Sequence, residues 1–178
     1  IIAAPFALCG ASTSASAIGA VAQVNAEALA GVAFTQLIRK GAPCIYGQFM
    51  VTVDMKTGAP MGGTPEAAQM MYVMGQLARK YNLPWRTSGF HVGSKLHDAQ
   101  AGSESNMLMH AAILSGANYI WHSAGWLEAG LSCGYSKFVT DAEQLVGWYN
   151  HAGGLPFDDF KDAMAAVREV GPQGHFLG

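Results

Sequence analysis

Pro84-Trp85-Arg86-Thr87-Ser88-Gly89-Phe90-His91-Val92-Gly93-Ser94-Lys95-Leu96-His97-Asp98-Ala99-Gln100-Ala101-Gly102-Ser103-Glu104 is the stretch on which the fold turns. A short extended run, Pro84 to about Ser88, gives way to a loop carrying two His, a Lys, an Asp and a Gln. A helical run then begins near Ser103 and ends at Leu114, with Gly116 as its cap. In a chain with only 12% charged residues, that concentration of polar groups after a strand is a candidate for chemistry, because functional residues gather on loops held by a rigid scaffold. The alternative is a solvated connection of ordinary composition.

Working outward, the same strand-to-helix order recurs. Strands are predicted near residues 2–8, 43–49, 84–88 and 117–121, each short, apolar and bounded by turn residues. Helices are predicted over Ile18–Arg39, from Pro65 behind a Thr64 N-cap to about Lys80, over Ser103–Leu114, from the capping-box pattern Thr140-Asp141-Ala142-Glu143 to about Asn150, and from about Asp158 to Val170. Such alternation implies parallel strands with right-handed crossovers. An open doubly wound sheet and half of an eightfold barrel both fit. The long polar loops fall after strands and none after helices, which suits a (β/α)8 TIM barrel with its site at the C-terminal ends of the strands. The expectation is an α/β chain, residues 1–178, forming a partial barrel domain: roughly the C-terminal half, about four βα units.

Composition narrows the function classes. The net charge is −2 with no basic run, so nucleic acid is not an expected partner. No apolar run approaches the ~20 residues that span a bilayer, so no membrane is expected either. Cys9, Cys44 and Cys133 are odd in number and far apart, which argues for a reducing, cytoplasmic compartment over a disulfide framework. Hydrophobic residues make up 51% of the chain, and with so little charge this suggests elements buried on several sides and a homo-oligomer. The opening Ile1-Ile2-Ala3-Ala4-Pro5-Phe6 reads like the middle of a longer protein.

In a barrel the strand ends converge. The groups brought together would be Cys9 and Ser12; Tyr46, Gln48 and Phe49; Ser88, Phe90, His91 and Asp98; and Trp121, His122, Trp126 and Glu128. Tyr46, Gln48, Phe90, His91, Asp98, Trp121, His122, Trp126 and Glu128 are the candidate substrate-binding residues. Aromatic rings around such a mouth suit a methylated ammonium, whose charge the ring faces attract; the alternative is that the rings simply fill the barrel. No metal is expected: His91, His97 and Asp98 lack any zinc-type spacing. A phosphate cradle at Gly62-Gly63-Thr64-Pro65 is disfavoured by Glu66 at the helix start.

The chain resembles the trimethylamine methyltransferase family, barrel enzymes that move a methyl group from methylated amines onto a corrinoid protein. The matching pieces are Asn25-Ala26-Glu27 with Leu29-Ala30-Gly31, Gly41-Ala42-Pro43 with Tyr46-Gly47, Met55-Lys56-Thr57-Gly58 before Gly63-Thr64-Pro65-Glu66, and Ser94-Lys95 with Asp98-Ala99-Gln100-Ala101-Gly102 and Glu104. They continue through Gly116-Ala117-Asn118, Ala124-Gly125, Asp141, Glu143 and Gly174-His175-Phe176-Leu177. The resemblance implies methyl transfer from a quaternary amine such as glycine betaine, or from trimethylamine, to a corrinoid (cobalamin) carried by a partner protein, with no cofactor bound directly. The trimethylamine enzymes carry pyrrolysine in the barrel, whereas only standard residues stand here. The pyrrolysine-free, glycine-betaine-type branch is the closer resemblance, and no catalytic role passes to a single position. A lyase or aldolase using Lys95 or His91 as base, and a non-catalytic betaine-binding module, are the other function classes open.

Overall fold

In a computed structural model, residues 1–177 of the chain are described. They fall into two compact units, Ile1–Val146 and a smaller one from Gly147 onward. The first unit holds every strand: β1 (Ile2–Ala3), β2 (Phe6–Cys9), β3 (Ile45–Gly47), β4 (Phe49–Val53), β5 (Pro60–Met61), β6 (Trp85–Ser88), β7 (Tyr119–Trp121), β8 (Trp126–Leu127) and β9 (Ser132–Cys133). It also holds helices α1 (Ala17–Ile38), α2 (Pro65–Lys80) and α3 (Ala99–Leu114), and α4 (Tyr135–Gly153) begins in it. The second unit carries the end of α4 and α5 (Phe160–Val170).

The main sheet runs β1-β3-β6-β7, all parallel and in chain order. Each strand is thus hydrogen-bonded to the next one made, with a helix between. Two predicted strands are each cut in two. Pro5, which has no amide hydrogen, separates β1 from β2, and Gln48 separates β3 from β4. The pairings on either side of the break share one offset, Ile2 opposite Ile45 and Phe6 opposite Phe49. The pair β2-β4 then carries β5 as an antiparallel third strand, which the sequence reading placed in a loop.

Side chains alternate across a strand, and the two faces of the sheet differ sharply. Tyr46 and Trp85 face the helices, buried with Val24, Met70 and Met74. Tyr46 donates its hydroxyl to Asn25 Oδ1 at 2.7 Å, and Trp85 Nε1 donates to Ser115 Oγ at 2.9 Å. A second cluster, including Met71, Leu108 and Ala111, joins α2 to α3. The opposite face carries Arg86 and Trp121 beside Gly47, and it is open: Trp121 is 46% exposed and Phe6 62%. The first strand, expected near residues 2–8, is therefore split in two and buried on one face only.

Helix α2 starts as expected, with Thr64 Oγ1 accepting from the Ala67 amide and Pro65 in the first turn. Helix α3 begins at Ala99, four residues early, because Asp98 is its N-cap and accepts from the Ala101 amide at 2.9 Å. The capping box expected at Thr140–Glu143 is not a helix start. Helix α4 begins at Tyr135, Thr140 Oγ1 donates back to the Ser136 carbonyl, and Asp141 is ion-paired inside the fold. One further expectation needs correcting: α1, with 22 residues and a mean hydropathy of 1.4 in its most apolar window, is long and apolar enough to cross a membrane. Its Ala20, Val21, Val24 and Ala28 nonetheless pack in the core against the sheet.

Candidate active site

At the C-terminal ends of the parallel strands, one end of the open face gathers aromatic rings. The Phe49 ring stands edge-on to His91 (centroids 4.8 Å apart) and to His122 (5.2 Å), and stacks on Phe6 at 5.1 Å. His91 and His122 are 5.4 Å apart, and Trp121 and Trp126 flank His122 at 5.8 and 5.6 Å. Phe6, Phe49, His91, His122, Trp126 and Gly130 line a cavity of about 300 Å³.

The backbone holds these rings from several sides. His122 follows β7 with φ at 51°, in the left-handed region that a non-glycine residue adopts at a cost. Its Nδ1 lies 3.0 Å from Ser88 Oγ, a contact that fixes the ring whichever partner donates. His91 sits on the loop after β6, and its carbonyl accepts from the Gly63 amide at 3.1 Å. At Gly62 a side chain would collide with that same His91 carbonyl, so glycine is what permits the approach. Glu104 ties the other end of the loop, accepting from the Gly93 and Ser94 amides at 2.7 and 3.2 Å. The Glu104 side chain also fills the space above Gly63, so no anion cradle exists there.

Two features were not anticipated. The segment after Trp121 forms a hairpin, β8 paired antiparallel with β9 across a 3₁₀ turn at Glu128–Gly130. Behind it lies a buried ion pair, Lys137 with Asp141 at 2.6 Å; Lys137 Nζ also donates to Ser105 Oγ, and Asp141 Oδ2 accepts from the Gly125 amide at 2.8 Å. This network joins α3 and α4 to the turn that carries His122 and Trp126.

Charge in the site is tuned towards neutrality. Burial pushes the His91 imidazole down to about 4, with the nearby His122 adding to the effect. Burial also lowers His122, helped by the positive charge of Arg86. Both rings are therefore neutral at pH 7. Among the described residues, no group of three or more His, Cys, Asp or Glu side chains is arranged to hold a metal ion.

Of the nine candidate residues, His91, Trp121, His122 and Trp126 come together. Gln48 does not line their cavity: it is buried on the helix side of the sheet, with Nε2 donating to Thr87 Oγ1 at 3.0 Å and Oε1 unpartnered. The other four point elsewhere. Tyr46 is on the helix side of the sheet. Phe90 is fully buried with Lys137 Nζ 5.7 Å from its ring centre. Asp98 caps α3, and Glu128 faces Lys95 at 3.8 Å. Alternation along β3 separates Tyr46 from the open face, a signal obscured by the break at Gln48. Arg86, the lone charge in an otherwise uncharged strand, was the sequence signal left unused.

A family model described as trimethylamine methyltransferase (MTTB) matches residues 1–178, the whole chain. Among curated proteins, a glycine betaine methyltransferase of Desulfitobacterium hafniense (strain Y51) is 39% identical over 99% of this chain and 37% of its own length. A proline betaine:corrinoid methyltransferase of Eubacterium limosum is 36% identical over 92% of this chain and 34% of its own. The trimethylamine methyltransferase MttB of Desulfitobacterium hafniense (strain DSM 10664 / DCB-2) is 33% identical over 94% and 34%. The chain spans about a third of the length of these relatives. With its whole length matched, the chain belongs to the trimethylamine methyltransferase family.

Proposed function

We propose that the complete protein transfers a methyl group from a methylated amine, of quaternary type such as glycine betaine, to a corrinoid carried by a partner protein, and that this chain forms roughly the C-terminal half of its (β/α)8 barrel. The ring cluster carries the reading: Phe49, His91, His122 and Trp126 surround a cavity with no carboxylate in its lining. A quaternary ammonium cannot donate a hydrogen bond, so ring faces are the complement that remains. Neutral imidazoles suit the same ligand because they add no competing positive charge. Family membership and the names of the relatives, two of them betaine enzymes, point the same way.

The work of these residues is positioning and desolvation. Held by rings on several sides, the cation presents one methyl group towards the open end of the cavity. Aromatic walls strip water from a charge that is neutralised as the carbon–nitrogen bond breaks, which weakens the ground state relative to the transition state. The corrinoid, when its carrier is docked, supplies the nucleophilic metal centre that accepts the methyl group. The leaving group from a quaternary amine is a neutral amine, so no side chain need protonate it. Unpaired cysteines fit a cytoplasmic setting. Sequential parallel order, with a helix between each strand and the next, supports the barrel over a doubly wound sheet, in which the order reverses. The alternative of Lys95 as a general base is weakened by its 81% exposed side chain and its ion pair with Glu128.

Calorimetry on the complete protein tests the cation site. Glycine betaine should bind, and its carbon isostere 3,3-dimethylbutyrate, which lacks the positive charge, should bind poorly. Trp126→Ala should weaken betaine binding roughly tenfold and change the isostere little. Equal losses for both ligands would mean that the ring supplies only apolar area, and the quaternary-amine reading would lose its physical support.

A further inference from the structure

The hairpin β8–β9 is flanked by Gly125 and Gly134, and the Gly134 amide donates to the Gly125 carbonyl at 2.9 Å. Its tip has an uncommon backbone. Glu128, Ala129 and Gly130 follow one another with φ at 49°, 52° and 92°, all in the left-handed region. Glycine adopts that region freely, but in Glu128 and Ala129 the Cβ crowds the carbonyl that follows. Two backbone hydrogen bonds to the loop after β6 hold the tip in place. The Glu128 amide donates to the Ser94 carbonyl at 2.9 Å, and the Ala129 amide to the Val92 carbonyl at 2.7 Å. The ion pair of Glu128 with Lys95 adds little, being 3.8 Å long with an exposed lysine. Two strained residues stand against two hydrogen bonds that water replaces when the tip leaves, which is a near balance.

The tip also covers the candidate site. A side chain at Gly130 would stand 2.8 Å from His91 Nε2, so bare backbone lies against the ring, and His91 is only 3% exposed. Leu131, the next residue, lines the cavity while most of its side chain faces outward. The base of the hairpin is firmer, because Leu127 packs in a small apolar cluster with Val92 and Ala101.

We infer that the tip Glu128–Leu131 is a lid on the cavity. It opens by releasing the Ser94 and Val92 carbonyls, which lets Glu128 and Ala129 relax to negative φ and uncovers His91. The lid does not depend on which ligand the cavity takes, so its test needs none.

Two measurements on the complete protein report the same opening: amide hydrogen exchange resolved to single residues, and carbethoxylation of His91 by diethyl pyrocarbonate, followed by peptide mass spectrometry. Corrected for intrinsic rates, the Glu128 and Ala129 amides should exchange roughly 100-fold or more faster than the amides that pair β6 with β3, although they too are hydrogen-bonded. Ala129→Gly removes the crowded Cβ. It should slow exchange at Glu128 and carbethoxylation of His91 by the same factor, roughly threefold or more. If the two amides of the parent exchange as slowly as those of β6, the inference is overturned, whether or not the variant folds. An exchange rate unchanged by Ala129→Gly overturns it as well. So does a His91 rate that stays constant while exchange slows, because the tip would then move without uncovering the site.

Discussion

At the scale of single residues, side chains of similar type divide into site and core by the strand face they occupy. Tyr46 and Trp121 both end up on strands of the main sheet, yet only Trp121 faces the rings. Tyr46→Phe should therefore cost about 1–2 kcal/mol in stability, since Asn25 Oδ1 loses its donor, while leaving betaine affinity unchanged; chemical denaturation and calorimetry check both halves. His91 offers a second test. Its pKa in the fold is about 4, against 6.5 for the free side chain. The unfolded chain therefore binds a proton that the folded chain refuses as pH falls below about 6.5. Stability is full above that value and declines towards about pH 4, by on the order of 3 kcal/mol from this group. Urea midpoints measured across that window should fall with pH in the parent and fall less steeply in His91→Phe. Residue types and loop positions made the histidines and tryptophans legible in the sequence. What hid Tyr46 and Phe90 was orientation: a one-residue break in β3 and a turn after β6 decide which way each ring points.

At the scale of elements, the start of α2 was legible from its Thr64 cap, the start of α3 was missed although Asp98 caps it, and that of α4 was misread where a polar pair imitates a cap. Thr140 and Asp141 look like a helix start, but Lys137 one turn earlier and Ser105 on α3 make Asp141 part of an interior ion pair. Only a tertiary contact discloses this, since Lys137 and Asp141 also have the spacing of an exposed helix pair. Lys137→Met should destabilise the fold by about 3–5 kcal/mol, because it strands the Asp141 carboxylate without its cation. Lys137→Met combined with Asp141→Leu should recover much of that loss. The double variant should still lower methyl transfer, because the Gly125 amide loses its acceptor and the turn bearing Trp126 loses its anchor. Denaturant titration and turnover, measured on the same samples, separate the two effects.

At the scale of the whole molecule, the alternation of strand and helix was enough to foresee a parallel sheet in chain order, because each crossover is short and of one hand. The hairpin β8–β9 and the strand β5 were not foreseen, being two-residue pairings too short to carry a periodic pattern. The sheet has β1 and β7 as edges, an open face with Phe6, Tyr119 and Trp121 exposed, and an apolar groove of about 590 Å³ lined by Ile1, Phe34, Ile38 and Pro43. Exposed edges and apolar patches of this kind promote association. The 178-residue chain alone should therefore sediment as oligomers, and a version extended to the length of its relatives should be monodisperse; a cooperative monomer of 178 residues would contradict that. Methyl transfer itself is read by proton NMR of glycine betaine, proline betaine and trimethylamine incubated with the complete protein and a reduced corrinoid carrier protein. One N-methyl group should be lost from a betaine, with the tertiary amine appearing in equal amount and only when the carrier is present. Intact N-methyl signals from all three amines, with a carrier proven active in another methyl transfer, would contradict it.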